Sequence, residues 1–545
     1  MKIKNIAAAC VALGLSMQSA HAEMPASAGN PEQTIKNLIN ILVQKKILTQ
    51  DAADELLNAA AQPAASSQAT PVQTAPKVAD APVAPGVVRV PYIPQVVREQ
   101  IKGEIKDEVL AQAKGERWGD PGSMPDWLSR ISFDGDFRVR AQHNGFPSGN
   151  TLPSQYNPLG TAPLMSNTTL DHNYLLLAAS LGMKAKISDS TFTALRITTG
   201  NTANPDSTNQ TLGGGNGGYY ALNQPAGLGN GNFNKYSLVL EQAYVQSDPY
   251  YWLMLSAGKM PNPWLSSDMV WDTDVNFEGL AASLKPRFSE AWSGFMTAGA
   301  FPVQDIVRSE TSYANSKWLY AAQAGMAWSA PNASTAKLGV ALYDFQNVEG
   351  TQNSAANTNG YDGTAISTMQ KGNSLMYITP PNNGWNNGAS IPALLGLASQ
   401  FKELDITGKF DLATFDPVHV VLTADYVKNI AFDQAAMTQR TGYVYPYAGN
   451  IGYQLRLDLG VPRIHERGEW QAYAAYKYIE SDAVLDALND QDFNLGGTNA
   501  KGFILGGAYG IDKNTWLSLR WLSTDQISGV PLSIDVLQLD LSTRF

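Results

Sequence analysis

The chain has 545 residues, with 38 Lys plus Arg against 48 Asp plus Glu and only 16% charged residues. An acidic balance without a basic run argues against nucleic-acid binding through phosphate neutralisation. The single cysteine, Cys10, lies near the N-terminus, so the rest of the chain has no thiol for a disulfide framework or a cysteine-ligated metal.

The sequence opens "MKIKNIAAACVALGLSMQSAHAE". Lys2 and Lys4 form a basic n-region, Ile6 to Met17 an apolar h-region, and Ala20-His21-Ala22 an A-x-A site. Residues 1–22 therefore read as a secretory signal peptide, with the mature chain starting at Glu23. Cys10 has too short an apolar run before it for a lipoprotein signal. Residues 23–61 predict a helical hairpin. Ile35, Leu38, Ile39, Leu42 and Val43 make one apolar stripe, and Thr49 with Asp51 starts the second helix. Residues 62–90 carry Pro63, Pro71, Pro76, Pro82 and Pro85, an Ala/Pro-rich semi-extended linker. In 91–127 a further helix is predicted from Pro94 to Lys114, with Val97, Ile101, Ile105 and Val109 on one side.

The period changes at 128–545. "ISFDGDFRVRAQ" sets Ile131, Phe133, Phe137 and Val139 against Asp134, Asp136, Arg138 and Arg140. Such alternation sends the two sets to opposite faces of a strand. Sixteen segments of this kind begin near 131, 172, 191, 236, 251, 276, 292, 318, 335, 401, 417, 451, 469, 500, 515 and 534. In "YSLVLEQAYVQS" both parities carry apolar residues and the faces cannot be assigned. The connections alternate between short ("SDS", "TFDP", "DKN") and long (201–235, 346–400, 428–450). An even strand number with short turns on one rim and long loops on the other predicts an all-β transmembrane barrel, antiparallel and up-and-down.

A soluble sandwich would alternate in the same way. The aromatics decide the question. In "WLYAAQAGMAW", Trp318 and Trp328 share a parity with Tyr320, Ala322, Ala324 and Met326. Ten tilted residues separate the indoles by about 23 Å, the spacing of two aromatic girdles around an apolar band of about 25 Å. Small alanines between them would fill a sandwich core poorly. The C-terminal "IDVLQLDLSTRF" places Leu537, Leu539, Leu541 and Phe545 on one parity, so the last residue is expected to face lipid on the strand that closes the barrel.

By parity the lumen receives the pore-lining candidates Arg138, Arg140, Lys184, Lys186, Arg196, Lys409, Arg456, Lys477, Arg520 and Arg544. It also receives Asp134, Asp136, Glu403, Asp405, Asp411, Asp425, Asp458 and Asp540. They read either as a transverse field that orients polar solutes or as ordinary paired, solvated walls. The near balance of sign supports neither anion nor cation preference. The loop 346–400 is the first candidate for an inward-folded constriction and 201–235 the second. Asp268, Asp272 and Asp274 in "DMVWDTD" lack EF-type spacing and read as acidic loop caps, with an oxygen-ligated Ca²⁺ the alternative. No catalytic centre, cofactor or metal site is predicted, since His143, His172, His419 and His465 are scattered and no nucleophile motif accompanies them.

Three stretches resemble the bacterial "putative porin" family: "LINILVQKKILTQDAADELL", "RVPYIPQVVREQIKGEIKDEVLAQAKGERW" with "MPDWLSRISFDGDFRVR", and "LSAGKMPNPWLSSDMVWDTDVNFEGL". The resemblance implies a Gram-negative outer-membrane pore with a periplasmic N-terminal extension. The expected function is a passive diffusion channel for small hydrophilic solutes or ions. The alternatives are a non-conducting surface adhesin or receptor acting through its long loops, and an outer-membrane enzyme with a rim His or Asp. Expected partners are outer-membrane lipid, the solutes, a cell-wall or periplasmic partner for the N-terminal helices, and further copies of the chain as a homotrimer, with no nucleic acid.

Overall fold

The computed structural model describes residues 128–156, 165–214, 233, 235–380 and 393–545. The signal peptide, the helical hairpin, the linker and the helix expected over 94–114 lie outside the described residues. Sixteen wall strands follow one another: β1 (Ile131–Gly145), β2 (His172–Lys186), β3 (Thr191–Thr198), β4 (Val239–Tyr250), β5 (Leu253–Pro261), β6 (Asn276–Leu284), β7 (Trp292–Gln304) and β8 (Lys317–Ser329). The second half comprises β9 (Thr335–Gln346), β10 (Lys402–Phe415), β11 (Val418–Asn429), β12 (Ile451–Gly460), β13 (Trp470–Ile479), β14 (Ala500–Asp512), β15 (Thr515–Gln526) and β16 (Ser533–Arg544). A two-residue strand, Gln210–Thr211, adds a short edge to β2, and Leu375–Thr379 pairs with Leu394–Leu397 as a separate ribbon. Among the described residues no helix is long and apolar enough to cross a membrane.

Each wall strand pairs antiparallel with the next, and β16 pairs back onto β1 from Asp136↔Arg544 to Gly145↔Asp535. Closure leaves no edge strand, which satisfies the backbone where lipid offers no partners. Phe545 finishes the seam, donating its N–H to the Gly135 carbonyl (3.0 Å) and accepting from the Gly135 N–H (3.2 Å). The Phe545 ring lies over Gly135, where a Cβ would meet Cζ at 2.3 Å. The glycine is required there by close approach.

The outward face is apolar and exposed. Phe137, Leu338, Phe410, Leu455, Phe503, Leu519 and Leu541 all lie on it, more than 40% accessible each. Trp318 and Trp328 also face outward, Trp328 opposite Trp292 and Trp318 stacked on Tyr320 at 5.9 Å. The unassigned segment in β4 is explained by a bulge: Arg196 pairs with Gln242 but Ile197 with Leu240, so Glu241 is an extra residue and the parity switches there.

Three loops on the long-loop rim pack into the barrel. Residues 262–275 carry Trp264, Met269, Val270 and Trp271, all buried. Trp264 meets Phe277, Phe301 and Tyr343 edge-on at 6.2, 6.1 and 5.6 Å, so aromatic packing fills the lumen beside β6, β7 and β9. Residues 480–499 lie against β1, β13, β15 and β16 through polar bonds described below. From 347–401, Lys371 is buried and donates Nζ to the Asn494 and Gly496 carbonyls. Asn494, Leu495, Gly496 and Gly497 all have positive φ, which turns those carbonyls toward one point.

Candidate functional site

In register, the residues expected in the lumen share the parity opposite the exposed apolar face, and they separate into three groups. Near the short-turn rim stand Lys184, Lys186, Lys409, Asp411, Asp134, Asp136 and Arg544. Lys184 sits over Phe192 (3.5 Å) and Arg544 over Trp516 (5.2 Å), each cation held against an aromatic face. Lys186 pairs with Asp189 at the rim, and Asp411 with His419 (2.7 Å). Lys337, which parity alone identifies, lies directly opposite Lys409 in register; the sequence reading omitted it.

At mid-height a cluster of arginines converges. Arg140 donates through Nε and Nη2 to Asp540 (2.8 and 3.0 Å) and through Nη1 to Asp492 (3.0 Å). Arg520 reaches the same Asp492, and Gln538 donates to it at 2.9 Å. Arg456 holds Asp458 (2.7 Å) while its guanidinium lies 3.9 Å over the Tyr473 ring. Arg196 gathers Asp134 (2.8 Å), Asp136 and Glu241 (3.1 Å). Asp492 belongs to the 480–499 loop and could not be placed in the lumen by strand parity.

Under the loops, Glu403, Asp405, Asp425 and Lys477 are buried. Thr407 Oγ1 donates to Asp405 (3.2 Å) and Asp425 (3.5 Å), while Asp425 accepts the Ser267 N–H (3.1 Å). Lys477 binds Asp268 (2.9 Å) and Asp490. Asp425 thus anchors loop 262–275, Glu403 accepts from the Leu485 backbone of loop 480–499, and Lys477 holds both loops, while Asp405 is bonded within the wall.

The constricting segments are acidic. Asp272 accepts from the Asp274 and Gln491 N–H groups (2.8 and 3.0 Å), and Asp274 from the Thr208 N–H and Oγ1 (3.1 and 3.2 Å). Asp272 and Asp274 are thus held by loop donors, while Asp268 pairs with Lys477 on the wall. Burial pushes the Asp206 carboxyl up to about 8, and burial with Asp274 and Asp490 nearby raises Asp272. Asp492 goes the other way. Burial opposes its charge, but Arg140, Arg520 and Arg138 outweigh burial and hold it well below the usual carboxylate range.

Of the two loops expected to constrict, both contribute: Asn209 bonds Arg138 (2.7 Å), and Lys371 docks on 494–496. Most side chains that reach the opposing walls come from 262–275 and 480–499, which the sequence reading did not single out as constrictions. The signal was present in "PNPWLSSDMVWDTD". Two Trp, a Met and a Val in so short a connection require something to bury them.

The family model described as "putative porin" matches residues 32–545. No curated protein matches the chain. Among solved structures, the outer membrane channel DcaP of Acinetobacter baumannii is 12% identical, covering 76% of this chain and 97% of its own, with a TM-score of 0.37. Pseudomonas putida OprB at high pH is 11% identical, with 78% and 96% covered and a TM-score of 0.42. The anion-selective porin from Comamonas acidovorans is 9% identical, with 76% and 99% covered and a TM-score of 0.38.

Proposed function

Since the chain belongs to the "putative porin" family and is an outer-membrane porin, we propose that it passes small hydrophilic solutes by passive diffusion along its arginine-lined wall. The observation that carries this reading is the distribution of charge inside the barrel. Aromatic packing occupies the side of β6, β7 and β9 and the 480–499 loop docks on β1, β15 and β16, so in this reading solute passes between the two, along the arginines that border the docked loop. There Arg138, Arg140 and Arg520 stand around Asp492, with Asp274 within reach of Arg138, and a transverse field acts on anything that passes. The remaining lumen candidates serve three roles in this proposal. Asp134, Asp136, Lys184, Lys186, Lys409, Asp411 and Arg544 line the vestibule at the short-turn rim, Arg196 and Asp458 the mid-height wall, while Arg140, Asp540, Glu403, Asp425 and Lys477, with Asp405 beside them, hold the constricting loops. The N-terminal helices are proposed to lie in the periplasm and to meet the cell wall or a partner, and the barrel to assemble with further copies of itself.

Cysteines introduced on alternate parities test the lining. A charged thiol reagent should reduce single-channel current through Arg456→Cys and Lys409→Cys, and leave Leu457→Cys and Phe410→Cys unaffected. Block at the outward positions, or none at the inward ones, would overturn the assignment.

A further inference from the structure

Arg138 differs from the other mid-lumen arginines. Arg140, Arg456 and Arg520 each hold a carboxylate, whereas Arg138 has none within ion-pair distance among the described residues. Among the described residues its side chain makes one hydrogen bond, from Nη2 to Asn209 Oδ1 (2.7 Å), and its Nε is buried without a partner. Arg140 on the same face repels it. Its register neighbours on the two adjoining strands are small, Ala178 on β2 and Ser542 on β16, and neither reaches it with charge.

Asp540, Asp492 and Asp274 all stand within electrostatic reach of Arg138 and none is joined to it; Asp540 and Asp492 are held by Arg140 and Arg520, whereas Asp274 has no cation in ion-pair contact among the described residues. Its carboxylate is held by Thr208, and Asn209, the next residue, holds Arg138. One dipeptide thus tethers both members of a would-be ion pair and keeps them apart. Arg138, Thr208, Asn209 and Asp274 are all half-buried, so each keeps an accessible side, and the hydrogen-bonded four border a common niche. Asn276 steadies the Asp274 backbone, donating to its carbonyl (2.9 Å).

We infer that this niche is the solute-reading site of the pore, and that it selects zwitterions, the carboxylate docking on Arg138 and the ammonium on Asp274. The inference rests on the pore reading above and adds its solute class. Charge decides among the candidates. A simple anion gains Arg138 but meets Asp274 and Asp492; a simple cation gains Asp274 but meets Arg138 and Arg140. A molecule with both charges on neighbouring atoms, such as an α-amino acid, gains both contacts. The planar guanidinium offers a two-pronged fit to a carboxylate that a lysine would not.

The test uses proteoliposomes of the full chain and compares swelling in L-serine with swelling in glycerol, a neutral solute of similar size. The expected wild-type ratio favours serine by about threefold, the size of a solvent-screened ionic contact. Arg138→Gln and Asp274→Asn should each bring that ratio close to one. Heat-modifiable electrophoretic mobility reports that each variant is folded. A ratio of one in the wild type, or a preference that survives both substitutions, overturns the inference. So does an Arg138→Gln variant that slows lactate and serine alike while Asp274→Asn does nothing, because the niche would then read anions only. Absence of glycerol uptake in every proteoliposome would instead count against the pore reading itself.

Discussion

Asp492 is the strongest link between the inserted 480–499 loop and the barrel wall, and removing it gives a sharp prediction. Its carboxylate accepts from Arg140 Nη1 at 3.0 and 3.1 Å, from Gln538 at 2.9 Å, and from Arg520. Asp492→Ala strands two arginines, and breaking a buried pair by deleting one partner costs about 3–5 kcal/mol. Arg140 keeps Asp540, and the Arg520 side chain is 27% exposed and can be rehydrated, so the low end, about 3 kcal/mol, applies. That amounts to roughly a hundredfold increase in the undocked population of the loop. In single-channel recordings this should appear as frequent excursions to a larger current, and in limited proteolysis as cleavage within 480–499. Asp492→Asn keeps the acceptor for Gln538 and should show a smaller increase. Recordings and proteolysis of Asp492→Ala that match the wild type would refute the view that this carboxylate holds the loop inside the barrel.

Other perturbations test other levels of the structure. Leu519→Arg places a cation on the outward face of β15 and should destabilise the barrel in vesicles by about 2–4 kcal/mol; urea titration with no change would mean that this face does not meet lipid. Gly135→Val drives a side chain into the Phe545 ring at the seam and should cost about 1–3 kcal/mol and slow assembly, read by heat-modifiable mobility over time. Asp206 has its carboxyl raised to about 8 by burial, so the folded state binds the extra proton between about 4 and 8. Stability should therefore fall as pH rises through that window, and Asp206→Asn should flatten the slope of melting temperature against pH; an unchanged slope would contradict the burial of this group.

Much of this was readable in the residues, and the reason is periodicity. A closed barrel makes every wall strand choose between lipid and lumen, so the two-residue alternation in "LDITGKFDL" or "IGYQLRLDL" carries the fold directly. The sixteen strand starts fall within about three residues of those expected, and Phe545 lies at the seam on the outward side. Where alternation breaks, the reading broke with it: Glu241 is a bulge residue, and no pattern in β4 announces that. The site was half legible. Parity placed Arg138, Arg140, Arg456 and Arg520 in the lumen, but which arginine remains unpaired depends on loop residues. Asn209, Asp274 and Asp492 reach the wall across long sequence separations, and no local rule encodes that. Length drew attention to 346–400, whereas the buried Trp264 and Trp271 of the shorter 262–275 loop were the better guide.

The most direct measurement is conductance of the purified full chain in a planar lipid bilayer, with wild type and Asp492→Ala recorded side by side. The account predicts discrete current steps from the wild type, and more frequent large-current excursions from the variant. A folded, inserted barrel that passes no current in either form would contradict it, and would shift the function to the long loops.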